Sequence, residues 1–447
     1  MTTATASTVE WPRWEDPAFY LQDPEVIQAS MAAQRRAAPV YWYEAPTLAT
    51  GVWVLSKWDH ARYVANNPEL FCNRYGFLLG DAADPEAVKA QLPEWAREEL
   101  SKPGLTAAQK RGLIVRGKLS LGDPQLENMA FLDPPRHGEV RSIFMGALKP
   151  SLVRSLKPRI AEIADEFLDQ IEPGAEVDFV KTVGRIPTTL MTEQIGVPRE
   201  MREEFIEMAS AHLAAIAVAP GKDAAQVERE ERLAQKFRDY VEELLAERRA
   251  SGSTGDDLVS VIARSELDGG PVPRSTAIAF ITHFINAGET TRALLSHVAL
   301  ALAERPEQRR LLVERPELLP NTIEETMRYY PINWTQCRTA TQRVEIEGHA
   351  IERDDYVMMP YAGANRDEDV YERPDEYEIT RSFEKDHLGW GYGQHACPGA
   401  LLARTLSTTI WERILARFDD WELAGTPQPF STPFIRGMLS LPLRFSQ

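Results

Sequence analysis

The side chain best suited to bind a metal ion in this sequence is the thiol of Cys397, which lies near the end of a glycine-rich segment. The segment reads GWGYGQHACPG from Gly389 to Gly399. Its alternating glycines favour a tight turn that lets the backbone approach a flat, bulky ligand. Cys397 lies just before a predicted helix, whose free N–H groups and positive dipole end lower the pKa of a thiol and favour the thiolate, the form that binds iron. His395 is close enough in sequence to contact an anionic group on the same ligand.

The residues of this segment also allow two other interpretations. The spacing Gly391-x-Gly393-x-x-Ala396 matches a loose dinucleotide-binding fingerprint, although no buried strand is predicted before it and no βαβ unit around it. A buried structural cysteine in a glycine-rich turn is the second. The interpretation of Cys397 as an iron ligand therefore depends on other groups of residues.

Two pairs of residues have spacings that place their side chains on one helical face. His137 and Arg141 are four residues apart after two prolines, and they either grip carboxylate groups or mark an exposed helix start. Glu325 and Arg328 are three residues apart, a spacing that on its own is typical of a solvated surface ion pair.

An acid and an alcohol are adjacent in the middle of an apolar helical stretch, at Glu289 and Thr290. Such a pair can deliver protons from solvent to a bound oxygen species, which is a general acid–base role. The other interpretation is a capping-like or buried polar pair. His283 and Asn286 precede Thr290 by two turns and one turn on the same face, where they contact either a ligand or the core.

The spacing of apolar residues indicates a mainly α protein with a smaller β portion. Helices are predicted at residues 28–38, 59–66, 152–171, 199–217, 224–250, 274–304 and about 399–418. Strands are predicted at the short β-branched or aromatic runs that begin at residues 40, 51, 344, 356 and 439. Residues 76–128 are rich in Gly, Pro and charge and are predicted to form a long surface excursion with only brief helical patches, of the kind that forms lids or binding loops.

The composition excludes several classes of protein. The 447 residues are 43% hydrophobic and 26% charged, as in a globular enzyme, and the formal net charge is −17. This charge argues against a binder of nucleic acid or anionic membranes, and no stretch approaches the ~20 apolar residues of a membrane span. The three cysteines form no disulfide framework and no signal peptide is recognised, so we predict a cytoplasmic location.

The segment around Cys397 resembles the haem-binding signature of the cytochrome P-450 family, F-G-x-G-x-H-x-C-x-G. One departure is Trp390, where the family usually has phenylalanine; its indole N–H needs a partner and could alter the redox potential. Pro398 suits a first helical position and removes one backbone N–H near the sulfur, which should leave the thiolate more electron-donating. The resemblance covers nearly the whole chain and implies a single haem domain over residues 1–447, with haem sandwiched between the 274–304 helix and the Cys397 segment.

The resemblance also implies the cofactor and the residues that hold it. The cofactor is haem b (iron protoporphyrin IX), with Cys397 as the iron ligand. His137 and Arg141 lie in a stretch similar to the family's D-P-P-x-H-x-x-x-R, and with Arg338 and His395 they are expected to bind the haem propionates.

A second group of family-like residues is expected to be structural. Glu325 and Arg328 resemble the buried E-x-x-R pair of the family, and Arg381 is similar in position to the third member of that network. We expect these residues to stabilise the fold on the proximal side, under the cysteine, and to take no part in catalysis.

The oxygen chemistry is expected on the 274–304 helix, at Glu289 and Thr290. The family usually has A-G-x-D/E-T-T there, whereas this chain has Asn286-Ala287-Gly288 before the acid, so the oxygen-binding groove should be narrower or differently hydrogen-bonded. We expect His283, Asn286, Ala287 and Asn333 to contact substrate. The 76–128 loop, the 199–250 helices, residues 332–336 and residues 435–439 should line the pocket.

The activity implied by the resemblance is that of a monooxygenase. It would insert one atom of O2 into a substrate and reduce the other to water, with electrons from NAD(P)H that arrive through a separate ferredoxin reductase and ferredoxin at the basic proximal surface. The substrate is expected to be an apolar small molecule with a polar handle, such as a terpenoid, a steroid or an aromatic secondary metabolite. The alternatives are a non-catalytic haem-binding or partner-recruiting protein on the same fold, and a peroxygenase, against which the Glu289–Thr290 pair argues.

Overall fold

Apolar residues at helical spacing occupy most of the middle of the chain, and helices form there in the computed structural model. The structure describes residues 10–89, 92–119, 127–216 and 224–446. Its α-helices in chain order are α1 (Pro24–Ala37), α2 (Trp58–Asn66), α3 (Pro85–Val88), α4 (Glu94–Leu100), α5 (Ala107–Leu119), α6 (Arg136–Gly146), α7 (Pro150–Ser155), α8 (Lys157–Leu168), α9 (Ile186–Ile195), α10 (Arg202–Ile216), α11 (Ala224–Ala250), α12 (Leu258–Arg264), α13 (Arg274–Ala303), α14 (Pro306–Glu314), α15 (Leu319–Tyr329), α16 (Tyr361–Ala364) and α17 (Ala400–Leu415).

The strands are shorter and are concentrated near the two ends of the chain. They are β1 (Val40–Tyr43), β2 (Val52–Leu55), β3 (Phe71–Cys72), β4 (Glu176–Asp178), β5 (Glu266–Leu267), β6 (Gly270–Pro271), β7 (Gln336–Ala340), β8 (Val344–Ile346), β9 (His349–Ile351), β10 (Tyr356–Met359), β11 (Asp420–Leu423), β12 (Gln428–Ser431), β13 (Arg436–Ser440) and β14 (Pro442–Ser446). The largest sheet has the order β1-β2-β10-β7-β3, in which only the β2–β10 pair is parallel. The prediction of a mainly α protein with a smaller β portion is confirmed.

Helix α13 runs through the main hydrophobic core. Its 30 residues are mostly buried because α9, α15, α17 and β13 pack around it. Gly288 permits the closest of these approaches: a Cβ at this position would lie 2.8 Å from Thr188 Oγ1 and 3.1 Å from Thr188 Cα, so any larger residue would push α9 away from α13. The middle of α13 is therefore held rigidly against its neighbours.

Two stretches differ from the sequence prediction. The predicted helix 152–171 is two helices, α7 and α8, because Pro158 cannot continue α7 and begins α8 instead. The expectation of only brief helical patches over residues 76–128 is wrong for α5, which has 13 residues and buries Leu113, Ile114 and Val115. Lysines and glycines interrupt the apolar stripe of α5, so its helical character is weak in the sequence pattern.

Candidate active site

A cavity of about 360 Å³ lies between the middle of α13 and the segment that contains Cys397. The cavity wall includes Thr290 from α13, His137 and Arg141 from α6, and the sulfur-bearing residue Cys397. The structure therefore brings together, in one cavity, side chains from three regions of the sequence that were predicted to share a site.

Cys397 presents its sulfur to this cavity from an irregular turn. Its backbone N–H donates a hydrogen bond of 2.7 Å to the carbonyl of Trp390, and α17 begins three residues later at Ala400. Burial raises the pKa of the Cys397 thiol, and hydrogen bonds from the backbone of Gly399 and Ala400 and the charge of Arg141 only partly oppose this effect. The N–H groups at the helix end therefore lower the thiol pKa as predicted, but burial outweighs their effect. A thiol in such surroundings becomes a thiolate when a metal cation binds it.

The backbone conformation and packing of the chain require glycine at two positions before Cys397. Gly391 and Gly393 have φ angles of 70° and 66°, in the left-handed region that favours glycine. A Cβ on Gly393 would lie 2.2 Å from the carbonyl oxygen of Ala65, at the end of α2. The close approach that Gly393 permits is thus to α2, whereas the sequence suggested an approach to a ligand.

Two histidines face each other beside Cys397 and have unused nitrogen atoms. The rings of His137 and His395 have centroids 4.3 Å apart, and the Nε2 atom of each is buried without a hydrogen-bond partner in the described part of the chain. Burial, with nearby Arg338, lowers the pKa of His395 to about 2, so this ring is neutral, and a hydrogen bond to the backbone of Leu132 opposes that effect only in part. Unpaired buried polar atoms are costly and indicate a missing partner.

Two arginines complete this group of donors. Arg141 Nη2 donates to the carbonyl of Ala396 at 2.7 Å, and Arg338 Nη1 donates to the carbonyl of Cys337 at 2.6 Å. Neither guanidinium group has another hydrogen bond within the part of the chain that the structure describes, and both residues line the cavity. A cluster of two histidines and two arginines next to a cysteine fits a flat ligand that carries carboxylates and a metal ion, as haem does.

Thr290 lies on the opposite wall of the cavity. Its Oγ1 donates to the carbonyl of Ala287 at 3.1 Å, and Thr291 Oγ1 donates to the same carbonyl at 2.7 Å. The helix is continuous through Asn286 and Ala287, so the unusual sequence there does not interrupt α13. The carbonyl of Ala287 is thus shared by two hydroxyl groups.

Glu289 is the predicted site residue that does not line the cavity in the described structure. It forms an ion pair with Arg292 on the same helix, and Thr188 Oγ1 donates to its Oε1 at 3.4 Å. Its side chain is 36% exposed, so the carboxylate is in contact with solvent. The acid and the alcohol are therefore on different sides of the helix, one outside the cavity and one inside it.

The residues predicted to contact substrate do line the cavity: His283, Asn286, Ala287 and Asn333. Asn333 forms a β-bridge with Ile435. The 332–336 segment lines the cavity through Ile332, Asn333 and Gln336, and the 435–439 segment does so through Ile435. Phe77 lines the cavity from the 76–128 segment, but no described residue of 199–250 does so, and Met191 of α9 does instead. Side chains missed by the sequence analysis include Phe144, Met191 and Leu294, whose apolar character alone did not distinguish them from the core.

Below Cys397, three charged side chains form a paired network, and two of them are on α15. Glu325 and Arg328 are fully buried and form two hydrogen bonds of 2.7 and 2.8 Å, and Arg381 Nε donates to both oxygens of the same carboxylate. The indole N–H of Trp390 donates to Glu324 at 2.9 Å, so the partner that this departure from the family pattern requires is a carboxylate.

Comparison with known proteins agrees with this site. The family model described as Cytochrome P450 matches residues 108–446. Linalool 8-monooxygenase from Pseudomonas putida is 28% identical over 439 residues, covering 97% of this chain and 98% of the relative. Cytochrome P450-terp from a Pseudomonas species is 30% identical over 334 residues, covering 72% of this chain and 77% of the relative.

The fold agrees as well. The crystal structure of CYP108D1 from Novosphingobium aromaticivorans superposes with a TM-score of 0.76 at 25% identity, covering 97% of each chain. The cavity with its cysteine fits a haem site on this fold. The chain belongs to the cytochrome P450 family and is a monooxygenase. Among the described residues, no helix is long and apolar enough to cross a lipid bilayer.

Proposed function

We propose that this monooxygenase oxidises a compact apolar molecule that carries one polar group, such as a terpenoid, a steroid or an aromatic secondary metabolite. The observation that carries the proposal is the cavity itself, whose wall is mainly apolar between Cys397 and α13 and includes the polar side chains His283, Asn286 and Asn333. Mostly apolar walls with a few polar groups are typical of small-molecule sites. The relatives named for linalool and for terpenes favour a terpenoid among these classes.

The cofactor in this proposal is haem b, and residues 1–447 form a single domain that binds it. Four side chains hold the haem carboxylates: His137, Arg141, Arg338 and His395. For His137, Arg141 and Arg338, the support is the unpaired Nε2 atom of His137 and the guanidinium N–H groups that have no other hydrogen bond among the described residues. For His395, it is the position of the ring, whose centroid is 4.3 Å from that of His137. When bound, haem supplies the reduction of O2 and the insertion of one oxygen atom into the substrate. Cys397 fixes the metal, and the surrounding apolar side chains exclude water.

Proton delivery in this proposal begins at Glu289 and ends at Thr290. The exposed carboxylate of Glu289 exchanges protons with solvent, and Arg292 holds it next to the helix. Thr290 carries its proton at Oγ1 on the cavity side, where a small reorientation away from Ala287 lets it donate into the cavity. Because the two groups are on different sides of α13, the transfer needs a side-chain rotation of Glu289 or an intervening water molecule.

Electrons in this proposal come from NAD(P)H through a ferredoxin reductase and a ferredoxin that docks below Cys397. Arg62, Lys385 and Arg404 are partly exposed on that side, where Arg62 and Lys385 lie over the ring of Trp58. An acidic partner would be attracted to these cations although the whole chain is acidic. The three cysteines carry free thiols, which supports a reducing, cytoplasmic location.

The proposal is tested on purified, haem-loaded protein. The reduced protein with carbon monoxide should show the absorption band of thiolate-ligated haem, and a terpenoid library should contain compounds that shift the spin state. Turnover with surrogate ferredoxin and reductase should then consume O2 and give an oxidised product. Spin shifts with no O2 consumption across the library would instead support a haem-binding protein without catalytic activity, and product with hydrogen peroxide alone would support a peroxygenase.

A further inference from the structure

His283 is a cavity-lining side chain with one nitrogen atom used and one free. Its Nδ1 is 2.9 Å from the backbone carbonyl oxygen of Ala279, one turn earlier on α13. A carbonyl oxygen only accepts hydrogen bonds, so Nδ1 must carry the proton. In a neutral ring, Nε2 then has a lone pair and no hydrogen, and within the described residues no donor is bonded to it.

The surroundings of His283 keep the ring neutral. Burial lowers the pKa of His283, and the hydrogen bond to Ala279 opposes that effect only in part. The second histidine of α13, His297, makes the same kind of hydrogen bond to Ala293 at 2.7 Å. Its Nε2, however, is buried away from the cavity, whereas the ring of His283 lines the cavity. The two residues thus share one backbone geometry and differ in what their free nitrogen faces.

We propose that the polar group of the substrate is a hydroxyl, which donates its hydrogen bond to Nε2 of His283. This inference rests on the monooxygenase function proposed above and deepens it to a class of substrate. A lone pair accepts from an alcohol and cannot bind an ether or a ketone, since neither has a hydrogen to donate. Asn286 is one turn closer to Thr290 and has both donor and acceptor atoms, so it can bind alcohols, ethers and ketones alike.

The position of His283 also restricts where oxidation takes place. Seven residues separate His283 from Thr290 on one continuous helix, which is a rise of about 10 Å. Both side chains line the same cavity and lean in the same direction along the helix. A substrate whose hydroxyl is bound to His283 therefore presents to the Thr290 end a carbon several bonds away, and not the carbon next to the hydroxyl.

The experiment uses three matched series on the haem-loaded protein: linalool, geraniol and borneol, each with its methyl ether and its parent hydrocarbon. Binding is measured as the substrate-induced spin shift, which does not depend on turnover. We expect at least one alcohol to bind about tenfold more tightly than its methyl ether, the size of one buried hydrogen bond. In turnover of that alcohol, the new oxygen should be on a carbon remote from the hydroxyl.

Three variants show whether His283 is responsible. His283→Phe keeps a ring and removes the acceptor, so the alcohol and its ether should bind with nearly equal affinity. His283→Gln restores an acceptor and should recover part of the preference. His297→Phe makes the same change outside the cavity and should leave the ratio of the two affinities unaltered, whatever its cost to folding.

Three outcomes would overturn the inference: equal binding of alcohol and ether by the wild-type protein, an undiminished preference in His283→Phe, or no binding of any alcohol in the three series. The carbon monoxide spectrum and turnover of the terpenoid library separate these failures from a failure of the proposed function. A thiolate-type spectrum and an oxidised product, together with any of the three outcomes, would leave a monooxygenase that recognises its substrate in another way.

Discussion

Two regions of the molecule differ in how completely their polar groups are paired: the proximal wall, which is the buried network around Glu325 below Cys397, and the distal wall, which is the α13 side of the cavity. On the proximal wall, Glu325 accepts hydrogen bonds from Arg328, from Arg381 and from the backbone N–H of Glu378, and none of its side chain is exposed. On the distal wall, the free nitrogen of His283 faces the cavity. At the edge between the two walls, the Nε2 atoms of His137 and His395 have no partner in the described chain.

This difference separates two uses of buried polar residues. A paired network stabilises one arrangement of the chain and has nothing left to offer a ligand. Unpaired groups around a cavity are costly in the free protein, and that cost is recovered when a ligand binds to them. Mutations in the proximal wall are therefore expected to change the stability of the protein, whereas mutations in the distal wall are expected to change binding and catalysis.

The largest effect is expected at Cys397, which lines the cavity opposite α13. In Cys397→Ser the thiolate-type spectrum of the reduced, carbon monoxide-bound protein should be lost completely, because an alcohol does not replace a thiolate as iron ligand. Cys72→Ala is the matched control, since Cys72 is a buried thiol outside the cavity. A thiolate band that persists in Cys397→Ser would contradict the assignment of the ligand.

Stability on the proximal wall depends most on Glu325. In Glu325→Gln the guanidinium groups of Arg328 and Arg381 stay buried without a counter-charge, so the free energy of unfolding in urea should fall by about 3–5 kcal/mol. Glu422 forms a comparable ion pair with Arg444 at the surface, and Glu422→Gln should change stability by no more than about 0.5 kcal/mol. Similar losses in both variants would show that burial of the network does not matter.

The contribution of Glu324 to the stability of the proximal wall can be tested by changing the pH. Burial opposes its ionisation, but hydrogen bonds from Arg404 and His387 outweigh that effect and lower the pKa of Glu324 from 4.5 to about 2. The folded-state pKa is below the unfolded value, so this stabilisation of about 3 kcal/mol is complete above about pH 4.5 and is lost as the pH falls towards 2.

Glu324→Gln should therefore be less stable than the wild type at pH 7, and the difference between the two proteins should shrink as the pH falls below 4.5. Urea unfolding between pH 7 and pH 3 measures this difference. Glu422→Gln, measured in parallel, should stay close to the wild type at every pH. A Glu324→Gln difference that does not change with pH would show that loss of packing, and not loss of charge, causes the destabilisation.

The sequence predicted local features of this site better than contacts between distant segments. Periodicity predicted the helix 274–304, which is present as α13, and glycine spacing predicted the turn at Cys397, which is present just before α17. The sequence could not show that Glu324 binds Trp390, 66 residues away, or that Gly393 is required by the carbonyl of Ala65. Such contacts are set by the packing of whole helices, to which no local pattern corresponds.

The placement of Glu289 illustrates the same limit within one helix. Its adjacency to Thr290 suggested a single acid–alcohol unit, but neighbouring residues on a helix point about 100° apart, and Arg292 draws the carboxylate outward. Spacing predicted which residue types are available. It did not predict on which side of α13 each would find its partner.

On the distal wall, we expect Thr290→Ala to affect catalysis and leave stability nearly unchanged. Loss of the cavity-facing hydroxyl removes the last proton donor, so the amount of product per O2 consumed should fall by about tenfold or more while hydrogen peroxide rises. Thr282→Val removes a similar hydroxyl that donates to Ile278 and does not line the cavity, and it should keep its coupling. Unchanged coupling in Thr290→Ala would exclude the proposed role.

The smallest effect is expected at Trp390, whose ring is on the proximal wall but also borders the cavity. The indole N–H donates to Glu324, and Arg404 lies over the ring at 4.7 Å from its centroid. Because the N–H is directed to a carboxylate, it is not available to the sulfur of Cys397. Trp390→Phe should therefore lower the free energy of unfolding by about 1 kcal/mol and leave the thiolate spectrum almost unchanged.

A measurement of the reduction potential distinguishes this expectation from the one drawn from the sequence, in which tryptophan at this position alters the potential. If Trp390 acts only through Glu324, the potential of Trp390→Phe should remain close to that of the wild type, and Glu324 should still be held by Arg404 and His387. A large change in potential with unaltered stability would place Trp390 with the unpaired groups that act on the ligand. The distinction between a paired proximal wall and an open distal wall would then not hold for Trp390.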